Sequence, residues 1–181
     1  MANTQSHYPD PVLDQVVVSR TLAVLVDNEP GVLARVIGLF SGRGYNIDSL
    51  TVTETEHEKH VSRITIITRG TPSVIEQIKH QLERMVPVHG VVDLTLEGES
   101  LERELALIKV VGKGETRIEA LRMAEVFNAE VLDASREHFV FQLTGRSVEV
   151  DRFINLMTEL GLAEVSRTGI AAIGRGPKAL G

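Results

Sequence analysis

Apolar and polar positions along the chain switch between two periods, and each switch predicts an element. Residues 17–27 (VVSRTLAVLVD) are mostly β-branched and apolar, as in a strand. Pro30 follows, suited to the first position of a helix, where its missing N–H is not needed. Val32, Val36 and Phe40, with Leu33 and Ile37 beside them, recur at helical spacing, and Gly42 and Gly44 end that helix. Residues 47–54 and 61–68 read as strands around a polar hairpin loop at 55–60. Gly70, Thr71 and Pro72 punctuate, Val74, Ile75, Ile78, Leu82 and Met85 mark a second helix, and 88–96 closes as a strand. The order is βαββαβ.

The second half repeats it. Residues 105–111 predict a strand, and Gly112 and Gly114 a turn. Ile118, Leu121, Ala124, Val126 and Phe127 predict a helix. Two strands follow at 130–134 and 138–143, then a helix over Val150, Phe153, Ile154 and Met157 and a last strand at 163–173. TRGTPSVIEQIKHQLERM matches LTGRSVEVDRFINLMTEL in polarity at an offset of about 75 residues, the mark of two copies of one unit. Between the halves lies 97–104, with four Glu and one Gly. The expected organisation is a tail at 1–16, domains at 17–95 and 104–176 joined by 96–103, and a tail at 177–181. A βαββαβ order with short connections predicts an α+β fold of two ferredoxin-like units, each an antiparallel sheet with both helices on one face. The other face must stay polar or find cover. Val61, Arg63, Thr65 and Ile67 fall on it, a mixture suited to a partly buried interface, so oligomerisation is expected.

Composition narrows the chemistry. At 181 residues, 43% hydrophobic and 24% charged, the chain can bury a core. With no Cys, thiolate zinc sites, iron–sulfur clusters and a cysteine nucleophile are excluded. A net charge of -6 argues against a nucleic-acid binder, and 4% aromatics with no Trp against a base-stacking platform. No apolar run approaches the ~20 residues that cross a bilayer, and residues 1–16 do not form a signal peptide. The expectation is a cytoplasmic protein that binds neither membrane nor nucleic acid.

Several short patterns have a bland reading that suits them better. Gly112-Lys-Gly114 with Asp133 downstream imitates a dinucleotide fingerprint, but Arg117 stands where Gly or Ala belongs and the remaining chain is too short for a doubly wound sheet. His57 and His60 sit in a loop without further metal ligands nearby. Phe139 and Phe141 alternate as RNA-stacking aromatics do, without the surrounding basic signature. The tail from Gly174 to Lys178 lacks the order of a phosphate loop.

The informative stretch is DNEPGVLA at 27–34, a strand-to-helix turn. Asn28 or Glu29 would precede the helix as its cap, and Gly31 would let a ligand approach the backbone. First-turn N–H groups lack intrahelical acceptors and carry partial positive charge, which suits a carboxylate or phosphate. A second element, GRGYNID at 42–48, places polar Asn46 and apolar Ile47 at the opposite end of the same helix.

The run DNEPGVLARVIGLFSGRGYNIDSLTV resembles the opening of the ACT-domain regulatory subunits of acetolactate synthase (acetohydroxyacid synthase). The resemblance continues through SRITI, IEQIKHQLERMV, ERELALIKV, EVFNAEVLD and SRTGIAAIGRG, over about residues 18–176. It implies a non-catalytic partner of a large catalytic subunit that uses thiamin diphosphate, magnesium and FAD, with no cofactor or metal on this chain. It implies activation of that subunit and feedback inhibition by a branched-chain amino acid, usually valine. It implies a homodimer through the ACT domains with the effector between them. Asn28, Pro30, Gly31, Val32, Leu33 and Ala34 would surround the effector's amino and carboxylate groups, and Asn46 and Ile47 of the partner chain would close the pocket. Ala34 stands where relatives often carry Ser, so no hydroxyl is offered there. Two other classes remain in view: a small dehydrogenase built on Gly112–Gly114, and an amino-acid-responsive nucleic-acid regulator.

Overall fold

The structure, a computed structural model, describes residues 16–56, 60–96 and 100–180. It divides into two compact units, one running to Ser100 and resuming at Gly174, the other spanning Leu101–Ile173.

The first unit runs β1 (Val18–Asp27), α1 (Val32–Arg43), β2 (Ser49–Glu56), β3 (Val61–Gly70), α2 (Pro72–Glu83) and β4 (Val88–Asp93). Its sheet has the order β2-β3-β1-β4, and each pairing is antiparallel. Leu22 stands opposite Ile66 and Val24 opposite Ile64, so the β1 and β3 residues of one parity share a face. That face packs with Val32, Val36 and Phe40 of α1 and Ile75, Ile78 and Leu82 of α2 into one core. Thr71 caps α2, its Oγ1 accepting the Val74 N–H at 3.5 Å, and Pro72 takes the first helical position. On the opposite face Thr65 and Ile67 are buried, and Val61 and Arg63 half-buried.

The second unit runs β5 (Ser100–Val111), α3 (Glu115–Val126), β6 (Glu130–Ala134), β7 (His138–Gly145), α4 (Ser147–Glu159), β8 (Leu162–Arg167) and β9 (Ala171–Gly174). The sheet order is β6-β7-β5-β8, with β9 also on β5. Ala106, Ile108, Val110, Phe139, Phe141 and Leu143 meet Ala120 and Ala124 of α3 and Val150, Phe153 and Met157 of α4. Phe141 and Phe153 meet edge to face at 6.0 Å, so both aromatics of β7 are core residues rather than a stacking platform.

Three local expectations are corrected. Helix α1 begins at Val32 with Gly31 as its cap at φ 88°, and Pro30 lies in the preceding turn rather than in the helix. β5 begins at Ser100, inside the stretch expected as a linker, because the alternation Glu102, Glu104, Ala106, Ile108 turns one parity inward from its start. The last strand is broken into β8 and β9 around Gly169, whose φ of +83° leaves strand geometry.

Candidate functional site

The candidate site begins where β1 ends. The N–H of Asp27 donates to the Pro87 carbonyl at 2.9 Å and that of Asn28 to the His60 carbonyl at 2.6 Å, which fixes the exit of the chain from the sheet. Glu29 and Pro30 turn it, and the Val32 N–H reaches back to the Glu29 carbonyl at 3.3 Å. Gly31 then adopts a left-handed conformation that side chains resist, and nothing stands within 4 Å of where its Cβ would be. No side chain caps α1, so the bond expected from Asn28 or Glu29 is not made. Arg35 N–H returns to the Gly31 carbonyl at 3.0 Å, while the N–H groups of Leu33 and Ala34 meet no acceptor among the described residues. The positive end of α1 therefore opens beside the exposed Asn28, Pro30, Gly31, Leu33 and Ala34. Val32 turns the other way: its side chain is in the core, and only its backbone borders the loop.

Asn46 and Ile47 sit at the far end of the helix. Gly44 ends α1 in a left-handed conformation, and the Tyr45 N–H satisfies the Phe40 carbonyl at 2.9 Å. The buried Thr68 hydroxyl donates to the Asn46 carbonyl at 2.6 Å, and the Asp48 N–H donates to Ile67 at 2.8 Å. Ile47 is half-buried against the core. The Asn46 side-chain amide donates to Asp48, which Arg69 grips with both Nε and Nη2, the latter at 2.9 Å. That grip raises the Arg69 pKa above its ordinary value, chiefly through the hydrogen bond from its guanidinium to Asp48.

The structure thus assembles residues 28–34 as one group and 46–47 as another, but not the two together. A helix of 12 residues lies between them, about 18 Å at 1.5 Å per residue. β2, which follows Asn46 and Ile47, is one of the two edge strands of its sheet, β4 being the other. Leu33 and Ile37 on α1 are 37% and 38% exposed, and Val52 of β2, which shares the helix-side face with Ile64, is 41% exposed. A strand edge flanked by exposed aliphatic side chains has the chemistry of a pairing surface.

The remaining sequence candidates hold no comparable site. His57 lies outside the described residues, the His60 side chain is 81% exposed, and no cluster of three potential metal ligands occurs among the described residues. Lys113 pairs with Glu137 at 2.7 Å, Asp133 with His138 at 2.8 Å, and the sheet beside them is antiparallel rather than the parallel one of a dinucleotide fold. Sequence reasoning missed a hydrogen-bonded series there, Ser135–His138–Asp133. Ser135 Oγ lies 2.8 Å from His138 Nδ1, and the bond at the other ring nitrogen lowers the Asp133 pKa. The same Oγ accepts the N–H groups of Glu137 at 3.1 Å and His138 at 3.2 Å. Both its lone pairs are thereby engaged, so the series locks the β6–β7 turn and presents no nucleophile.

Two family models match the chain. One, an AHAS small subunit-like ACT domain, covers residues 22–90, and the other, small subunit of acetolactate synthase, covers 103–176. The acetolactate synthase isozyme 3 small subunit of Escherichia coli is 42% identical, over 88% of this chain and 97% of its own. The acetolactate synthase small subunit of Haemophilus influenzae is likewise 42% identical, with the same two coverages of 88% and 97%. The crystal structure of the acetolactate synthase small subunit from Thermotoga maritima superposes with a TM-score of 0.80 at 38% identity, covering 89% of this chain and 99% of that one.

Proposed function

The chain belongs to the acetolactate synthase small-subunit family, and from that premise we propose that it is a non-catalytic regulatory subunit working in the cytoplasm. It raises the activity of a large catalytic subunit that carries thiamin diphosphate, magnesium and FAD. It also confers feedback inhibition by a branched-chain amino acid, valine, held between the first units of two copies. Residues 17–95 form the effector-binding domain and 104–176 the second domain.

The observation that carries this reading is the separation of the two residue groups by the length of α1 beside an open β2 edge. Antiparallel pairing of β2 with its copy about a two-fold axis brings the start of one β2 to the end of the other. Asn46 and Ile47 of one chain then approach the α1 N-terminus of the other. The effector's carboxylate meets the N–H groups of Leu33 and Ala34 and the positive helix end. Its ammonium meets amide oxygens, and its side chain meets Leu33 and Ile47. Binding across two chains changes their mutual geometry when one arrangement holds the effector better, which couples occupancy to the catalytic partner.

Titration calorimetry of the purified chain with valine, leucine and isoleucine tests the reading. Saturable binding of valine is expected. Heat-silent titrations with all three would remove the effector site, and acetolactate formation by the chain alone would remove the regulatory role.

A further inference from the structure

We propose that Asp48, held by Arg69, turns the Asn46 side-chain amide so that its carbonyl faces outward, and that this orientation selects an effector with a protonated amino group over the 2-oxo acid of the same carbon skeleton. The inference rests on the effector site just proposed and adds the residues that set its ligand class.

An asparagine amide can face either way, and the two orientations present opposite chemistry to a ligand. Asp48 decides between them. A carboxylate only accepts, so the amide nitrogen must face it, and the structure shows Asn46 Nδ2 donating to Asp48 Oδ1. Arg69 only donates, and its two-pronged hold on both Asp48 oxygens keeps that carboxylate fixed in place. The loop backbone is pinned on either side of Ile47, by Thr68 Oγ1 on the Asn46 carbonyl at 2.6 Å and by the Asp48 N–H on Ile67 at 2.8 Å. The backbone at Asn46 therefore keeps its place whether or not Asp48 is present, and what Asp48 adds is the direction of the amide. Asn46 Oδ1 accepts no hydrogen bond among the described residues, and the residue is exposed. An outward oxygen attracts an ammonium group and repels the ketone oxygen of a 2-oxo acid.

A purely structural role for the Asp48–Arg69 pair, tying the start of β2 to the end of β3, would weaken all ligands alike when removed. The orientation role weakens only the ligand with the ammonium. The full-length chain is titrated with L-valine and with 3-methyl-2-oxobutanoate, as wild type, Asp48→Asn and Arg69→Met. Wild type is expected to prefer valine by about a hundredfold or more. Asp48→Asn frees the amide to turn, and the preference should fall about tenfold, almost wholly through weaker valine binding. Arg69→Met leaves Asp48 present but loosely held, and should lower the preference by about threefold. Arg69 has a side chain 60% exposed, so this variant decides the matter if Asp48→Asn does not fold. A preference unchanged in the folded variants, with both ligands weakened in parallel or neither, overturns the orienting role and leaves the effector site standing. A wild-type chain that binds no valine overturns the site itself, and this inference with it.

Discussion

At the scale of single residues, the α1 N-terminus differs from its sequence reading in a way that sharpens the account. Asn28 precedes the helix but does not cap it, and a left-handed Gly31 takes that position. Spacing and composition cannot reveal this, because Asn-Glu-Pro-Gly is compatible with Pro opening the helix or with Gly capping it. The choice is made by the bonds that Asp27 and Asn28 give to Pro87 and His60, contacts distant in sequence. One consequence is that Asn28→Asp removes nothing from the fold, since the exposed side chain makes no cap bond. An added negative charge at a helix N-terminus is mildly stabilising, so the melting temperature should hold or rise slightly. The effector's carboxylate would face that charge at about 4 Å, where repulsion at an effective dielectric near 20 is about 4 kcal/mol. Solvent and the effector's own ammonium halve this, which leaves a loss of roughly tenfold to a hundredfold in affinity. Calorimetry paired with a melting curve checks it, and unchanged affinity would take Asn28 out of the site.

At the scale of elements, the repeated βαββαβ order was legible because periods of 2 and 3.6 alternate cleanly around Gly and Pro. The ends were less legible. Glu102 read as linker and Glu104 as the first residue of the second domain because carboxylates rarely go inside, yet Glu104 is buried and paired with Arg167 on the neighbouring strand. Within 163–173 only Gly169 marks the break between β8 and β9, and the pairing of both strands with β5 is not legible from local sequence. Gly161 shows how tightly such ends can be determined: at φ +101° its absent Cβ would lie 2.2 Å from the Val111 carbonyl oxygen, and Val111 donates to the Gly161 carbonyl at 2.8 Å. Gly161→Ala should destabilise the second unit by about 3 kcal/mol or more, by backbone strain and overlap together. Calorimetric unfolding should show this loss, with valine binding retained at temperatures where the chain stays folded. A second expectation concerns acid. Hydrogen bonds from His138 hold Asp133, those from Arg146 hold Glu149 and that from Lys109 holds Glu164 below their ordinary pKa values. Groups whose folded pKa is depressed contribute stability above the ordinary carboxylate range and lose it as pH falls through the folded value, because the unfolded chain binds protons first. The second unit should therefore weaken on acidification, and Glu149→Gln should flatten the dependence of its melting temperature on pH. An unchanged slope would place the acid sensitivity elsewhere.

At the scale of the whole molecule, sequence patterning shows which faces a chain presents but not what meets them. The two site groups could be read separately, from DNEPGVLA and GRGYNID, and the structure adds that a helix of 12 residues holds them apart. In the proposed dimer, the exposed Leu33, Ile37 and Val52 beside the β2 edge are where a second copy would complete each group. In that proposed dimer, one effector pocket draws Asn28 from one chain and Asn46 from another. Two full-length variants, Asn28→Asp and Asn46→Ala, each alone expected to bind valine more weakly than wild type, are mixed in equal amounts, unfolded and refolded together, and titrated with valine. With a shared pocket, each mixed dimer carries one intact site and one doubly altered site, so random reassortment restores wild-type affinity in about a quarter of all sites. Recovery of that fraction is the predicted result, and a refolded mixture that binds no more valine than either variant alone would contradict a pocket built from two chains.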